Sequence, residues 1–271
     1  MIERRRIAGF SNPTVKAIRS LRDKKHRRRE GLVLAEGLRL LTDALESGQV
    51  PQTLVVADTR DPHPLLDRLE AAVAGAGGEI IETPPDILAK ITGKANPQAV
   101  AGVFAEFGTT LAALDRSQAP IWLVAQALRD PGNLGTMLRT GDAIGAGGLI
   151  LIDDCADPFS VEAVRASMGA VFTQKIAQAR WEEFEPWLRG GHGQLVGASL
   201  HGATPYRDAA YRAPCFIMVG NESQGLPDAY EAACDLRVTL PRAHRRLPGP
   251  AKTRSCPESA VTVSFPRLAK I

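Results

Sequence analysis

The sequence predicts an α/β fold in two parts, on three observations. Short apolar runs alternate with amphipathic stretches, Gly and Pro punctuate the junctions, and the segment 106–119 interrupts the alternation. The predicted organisation is an α/β domain over 1–105, a linker over 106–119, a second α/β domain over 120–240 and a basic, Pro-rich tail over 241–271. At 271 residues and 44% hydrophobic, the chain can supply a core to each part.

The elements follow in order. Ser11-Asn12-Pro13 starts a helix, with a capping side chain and Pro in the first turn. Val15, Ile18 and Leu21 line one face of it, and the run ends in Lys24-Lys25-His26-Arg27-Arg28-Arg29. Leu32–Ala35 reads as a strand, and Glu36–Ser47 as a helix closed by Gly48. Strands at 53–57, 79–82 and 100–104 alternate with helices at 64–74 and 85–91. After the linker, strands are predicted at 121–125, 148–152, 194–199, 215–219 and 236–240. Helices are predicted at 133–144, 159–168, 181–189 and 227–233. Short apolar strands separated by helices imply a mostly parallel, covered sheet. The tail holds prolines at 241, 248, 250, 257 and 266 and reads as extended.

Charge is distributed unevenly. Residues 1–30 carry eleven Lys/Arg against three Asp/Glu, and 241–271 carry seven against one, while the overall net charge is +3. A basic arm on an acidic body points to a polyanionic partner, and Lys16, Arg19, Lys24, Lys25, Arg27 and Arg28 are the candidate phosphate contacts. No apolar run approaches the ~20 residues of a membrane span. Met1–Arg6 has no apolar segment behind it, so a cytoplasmic protein is expected. Cys155, Cys215, Cys234 and Cys256 lack metal or redox spacing and read as reduced thiols, two or three of them in core strands. His26, His63, His192, His201 and His244 read as exposed loop residues, and no metal site is expected. Gly145-Ala146-Gly147-Gly148 is a poor dinucleotide fingerprint, because position 150 is Ile and the glycines precede a strand.

Two stretches can carry chemistry. In Arg129-Asp130-Pro131-Gly132-Asn133-Leu134-Gly135-Thr136-Met137-Leu138-Arg139, a strand ends near Ala125, Asn133 caps a helix, and Arg139 lies on it. Asn can donate and accept, and Arg presents a rigid fork to oxygens. By spacing alone, the plainer reading is a capped helix with a surface Arg. In Gly220-Asn221-Glu222-Ser223-Gln224-Gly225-Leu226, a buried strand enters a Gly-bounded polar loop, and a connecting turn is an equal alternative.

Taken in order, these stretches resemble the SpoU/TrmH family of RNA 2′-O-ribose methyltransferases, of the SPOUT superfamily, from Asn12 to Leu240. Asn12–Lys16, Lys24-Lys25 and Ala35–Arg39 are similar to the family's L30-like substrate-binding domain. Asn133–Arg139, Arg165–Ala170, Gly220–Leu226 and Val238–Pro241 are similar to its successive catalytic-domain motifs. The resemblance implies an L30-like α/β domain followed by an α/β SPOUT domain with a trefoil knot. It also implies S-adenosylmethionine as cofactor, rRNA or tRNA as substrate, and a homodimer. Carried over by motif, Arg139 is catalytic, with Asn133 and Glu222 in the active site; Gly220, Asn221, Gly225 and Leu240 belong to the cofactor-binding set.

After Leu240-Pro241 the chain departs from the family pattern. Ser259–Ser264 is a late, faint echo of the expected closing motif, and the helix that should complete the knot is missing from the sequence. Two accounts fit this composition: a change of reading frame near codon 241, or a basic RNA-binding tail. A non-catalytic RNA-binding protein on a degenerate scaffold is the alternative function.

Overall fold

Among the described residues, ten runs of four to six residues become strands that bury apolar side chains, and two exposed two-residue strands flank the sheets. The structure, a computed structural model, describes residues 3–201 and 203–240. In chain order the first part contains β1 (Arg5–Arg6), α1 (Pro13–Ser20), α2 (Lys24–Glu30), β2 (Leu32–Glu36) and α3 (Leu38–Glu46). It continues with β3 (Thr53–Ala57), α4 (Pro64–Gly75), β4 (Glu79–Thr83), α5 (Pro85–Thr92) and β5 (Val100–Ala105). After two 3₁₀ turns come β6 (Ile121–Gln126), α6 (Pro131–Ala143), β7 (Gly148–Ile152), α7 (Val161–Ala166), α8 (Ala170–Thr173) and β8 (Lys175–Ala179). The last elements are α9 (Trp181–Arg189), β9 (Gln194–Ala198), β10 (Thr204–Pro205), β11 (Cys215–Val219), α10 (Asp228–Ala232) and β12 (Leu236–Thr239).

Two sheets result. The first is mixed, in the order β1-β4-β3-β5-β2, with β5 antiparallel to both β2 and β3. The second has the order β10-β12-β9-β11-β6-β7-β8, and all its pairings are parallel. The chain enters this second sheet at β6, builds outward through β7 and β8, then crosses to β9 and fills the gap with β11. The strand order therefore reverses between β6 and β11. In open α/β sheets, ligands gather beyond the carboxyl ends of strands at such a point.

The segment joining the sheets is packed. Phe107 lies against Phe159 and Phe172 at ring-centroid distances of 5.1 and 5.2 Å, and Phe104 meets Phe172 at 4.9 Å. Leu111 and Leu114 are buried, and the Thr109 N–H donates to the Ile176 carbonyl at 2.9 Å. One apolar cluster runs from β2, β3 and β5 into α6, β7 and α8.

Local structure corrects several expectations. The basic N-terminal run is two helices, because Asp23 caps Lys25 N–H at 2.7 Å and starts α2 anew. Glu36 ends β2, and Gly37 (φ 115°) forms the bend that the predicted helix start had absorbed. The helix predicted at 159–168 stops at Ala166: Met168 and Gly169 have left-handed φ of 51° and 97°, and α8 follows. Strand β8 was not predicted, its Lys175 and Gln178 hiding a two-residue alternation. Of the cysteines, Cys215 lies in a strand, while Cys155 and Cys234 are half-buried outside strands. His26 is half-buried on α2, and His63 caps α4 by accepting from Leu65 N–H at 3.2 Å. The tail reading, Cys256, His244 and the closing part of the expected knot fall outside the described residues.

Candidate functional site

The reversal between β6 and β11 places two loops side by side. Beyond β6, Gln126 is buried and Ala127 adopts a left-handed φ of 48°. Asp130 then caps α6, accepting from Asn133 N–H at 2.6 Å, with Pro131 in the first turn. This corrects the expectation that Asn133 is the cap. With Asp130 in that role, the Asn133 side chain is released, and its amide donates to Glu222 Oε1 at 3.2 Å, across 89 residues of sequence.

Beyond β11, the loop folds onto itself through an antiparallel bridge between Asn221 and Gly225. The Asn221 side chain holds it: Nδ2 donates to the Ala127 carbonyl at 2.9 Å, and Oδ1 accepts from Ser223 N–H, Ser223 Oγ and Gln224 N–H. Asn221 is thus spent on the loop, by its side chain and, through the bridge to Gly225, by its backbone N–H and carbonyl. Gly225 needs its left-handed φ of 74°. Gly220 needs its missing side chain, since a Cβ there would lie 2.2–2.4 Å from backbone atoms of Gly225 and Leu226.

The Glu222 carboxyl is held below the ordinary carboxylate range. Its own backbone N–H contributes most; burial opposes it as the next largest effect, and the Asn133 amide and the N–H groups of Arg129 and Asp130 add to the lowering. A carboxylate at the first turn of α6 also matches the helix dipole. Glu222 is therefore an acceptor at neutral pH. Asp153, at the end of β7, is saturated by Tyr230 Oη at 3.0 Å, Trp181 N–H at 3.2 Å and Gln126 Nε2 at 3.3 Å. These bonds tie the end of β7 to α9 and α10. Burial raises all three described thiols, Cys215 and Cys234 to about 11, so none is a thiolate at neutral pH.

Arg139 is exposed on α6 and makes no ion pair or hydrogen bond among the described residues. Six residues beyond Asn133, at about 100° per residue, it points about 120° around the helix from the Asn133–Glu222 contact. Contacts in the structure join Asn133 to Glu222 and hold Asn221 within its own loop with Gly225; none among the described residues involves the Arg139 side chain. Two features escaped the sequence reading. Arg129 forms an ion pair with Asp154, and apolar Leu200 is 64% exposed just past β9. Leu240, 63% exposed, lies just past β12, and continuing the β9–β12 register sets it beside Leu200. Gly220 follows the neighbouring strand β11, so apolar side chains and a side-chain-free backbone share one edge. The Arg129–Asp154 pair carried no spacing signal; Leu200 could have been flagged as an apolar residue at a predicted strand end.

Of the candidate phosphate contacts, Lys16, Arg19, Lys25 and Arg28 are exposed on α1 and α2, and Lys24 is half-buried. Arg27 is a correction: it is 3% exposed. Its guanidinium donates to the Leu21 carbonyl and to Asp157 Oδ2, both at 2.7 Å, so it has turned inward from the basic stripe. Among the described residues, no group of His, Cys, Asp and Glu could hold a metal ion.

Comparison with known proteins agrees with this arrangement. Residues 120–246 match the SpoU rRNA methylase family, and residues 12–102 match an MRM3-like substrate-binding domain. A Bacillus subtilis protein, 23S rRNA (guanosine(2553)-2′-O)-methyltransferase RlmP, is 29% identical over 88% of this chain and 90% of its own length. The crystal structure of an AdoMet-bound rRNA methyltransferase from Sinorhizobium meliloti superposes with a TM-score of 0.82 at 37% identity, covering 89% of this chain and 90% of that one. A Synechocystis protein, named as an uncharacterized tRNA/rRNA methyltransferase, is 31% identical over 88% of this chain and 85% of its own length. On these matches, which span both sheets, the chain belongs to the SpoU rRNA methylase family.

Proposed function

We propose that this protein transfers a methyl group from S-adenosylmethionine to a ribose 2′-hydroxyl of RNA, with rRNA the first substrate to test. The observation that carries the reading is the Asn133–Glu222 contact at the point where the second sheet reverses its strand order. The family's AdoMet-bound S. meliloti structure and the 23S rRNA specificity in the B. subtilis relative's name support the cofactor and substrate class.

The residues present fit the cofactor. Exposed Leu200 and Leu240 offer apolar contact to a flat ring, and Gly220, where a side chain would strike the Gly225 and Leu226 backbone, lets the loop close beside them. S-adenosylmethionine, when bound, supplies an electrophilic methyl group. The protein must then orient the hydroxyl and stabilise its developing negative charge. In this reading Asn133, held by Glu222, positions the ribose. Arg139 acts as a charged clamp, because a guanidinium holds its proton and is a costly base. The homodimer implied by the resemblance belongs to this reading, and sedimentation analysis tests it.

Transfer of labelled methyl groups from S-adenosylmethionine to rRNA, with ribose-specific product analysis, is the direct test. Arg139→Ala should lower turnover by about a hundredfold or more, as for removal of a transition-state donor, while cofactor binding by calorimetry stays near normal. Equal loss of both would refute the clamp. The alternative, an RNA-binding protein without catalysis, predicts tight RNA binding and no methyl transfer.

A further inference from the structure

The basic character of the N-terminal helices concentrates in a cleft. It lies between α1, the start of α2 and the end of α5, with a volume of about 480 Å³. Its charged walls are Arg19, Arg22, Asp23, His26 and Lys90, and its floor includes Gly93.

Three features set these groups apart from the rest of the basic surface. First, their charge is unspent. Arg19, Arg22 and Lys90 make no ion pair and no side-chain hydrogen bond among the described residues. Arg4, Arg27 and Arg60, by contrast, are each tied to a buried or half-buried carboxylate. The single acidic wall residue, Asp23, already accepts from Lys25 N–H to start α2. Second, the Nδ1 atom of His26 is buried and has no hydrogen-bond partner. A buried polar atom left unpaired costs free energy unless something meets it. Third, Arg22 is seated. A Cβ at Gly93 would lie 2.2–2.6 Å from its guanidinium, so the fork rests against bare backbone. Gly93 is the left-handed C-cap of α5, where a cation is favoured by the helix dipole. The same argument covers Lys90 in the last turn of α5 and Arg19 in the last turn of α1; what it leaves is that three unneutralised cations from two helix ends share one cleft.

We propose that this cleft seats backbone phosphates of the RNA substrate, with Arg22 and Lys90 as the principal contacts and Arg19 and His26 beside them in the wall. Free phosphate offers the same chemistry. A strand of RNA fits better, because Lys16, Lys24, Lys25 and Arg28 continue the positive surface along α1 and α2 outside the cleft. The inference rests on the RNA-methylation reading and names residues, Arg22, His26 and Lys90, outside the stripe first singled out.

The test uses the full chain and a short fluorescein-labelled RNA hairpin, with binding followed by anisotropy across a salt series. In the Arg22→Gln/Lys90→Gln variant, affinity should fall about tenfold or more, and the slope of log K against log salt should shrink by roughly 1.5, about 0.7–0.9 per lost phosphate contact. Both sites are exposed, so calorimetric binding of S-adenosylmethionine should be unchanged and reports the fold. Arg68→Gln, an exposed charge on α4, serves as control and should stay within about twofold. Arg22→Lys should recover part of the slope and less of the affinity, because the fork is lost. Binding by the double variant within about twofold of the unmodified chain would overturn the proposal. So would inorganic phosphate that protects the cleft without competing with the hairpin. The two readings can fail apart. RNA binding lost in the variant while the unmodified chain transfers no methyl group retains the cleft and removes the reaction; unchanged binding with intact transfer does the reverse.

Discussion

At the scale of single residues, what a side chain does here depends on which groups have already claimed its neighbours. Asn133 reaches Glu222 because Asp130 takes the capping role. Asn221 has the same amide group, and the Ala127 carbonyl and its own loop consume it. Arg27 and Arg28 are adjacent in a basic run, yet one is buried and the other exposed. The buried one spends two donors on Leu21 and Asp157, and its Nε remains unpartnered. Arg27→Ala would strand Asp157, which is largely buried, and should cost about 3 kcal/mol in urea denaturation. Arg28→Ala, by contrast, should stay within about 0.5 kcal/mol. A similar cost for both would show that the Arg27–Asp157 pair contributes little.

At the scale of elements, the loop after β11 is a closed turn whose shape is set by backbone, so its glycines act through conformation and space. Gly220→Ala would drive a methyl group into the Gly225 and Leu226 backbone and force the Asn221–Gly225 bridge open. We expect a loss of at least tenfold in S-adenosylmethionine affinity, about 1.4 kcal/mol, with a retained far-UV spectrum. Unchanged affinity in calorimetry would remove this loop from the cofactor site. The periodicity of most elements was legible in the sequence: α4, α5, α9 and the strands from β3 to β7 fall within a residue or two of expectation. Elements were missed where polar residues mask alternation, as in β8, or where one capping side chain divides a run, as Asp23 does between α1 and α2. The candidate site was legible as two motifs, but not as a contact, because 89 residues separate Asn133 from Glu222.

At the scale of the whole molecule, the two sheets share a core, so the segment over 106–119 acts as packing material as well as connection. Phe107 stands between Phe159 and Phe172, and the apolar cluster is continuous through it. Phe107→Ala should cost about 3 kcal/mol, and in calorimetry it should broaden or split the unfolding transition. A variant that melts as sharply as the parent, at an unchanged temperature, would mean the sheets are coupled elsewhere.

By itself, the sequence determined the α/β class, the two-part alternation, the basic N-terminal helices and the family, since these follow from local periodicity, charge density and ordered motifs. It did not determine which members of those motifs meet. Only the tertiary structure decided that Asp130 caps α6, that Arg27 turns inward, that Asn133 meets Glu222, and that unspent cations converge at the end of α5. The physical reason is competition: each polar group bonds to whichever partner the fold brings nearest, and strand order at β6 and β11 sets that proximity across scores of residues.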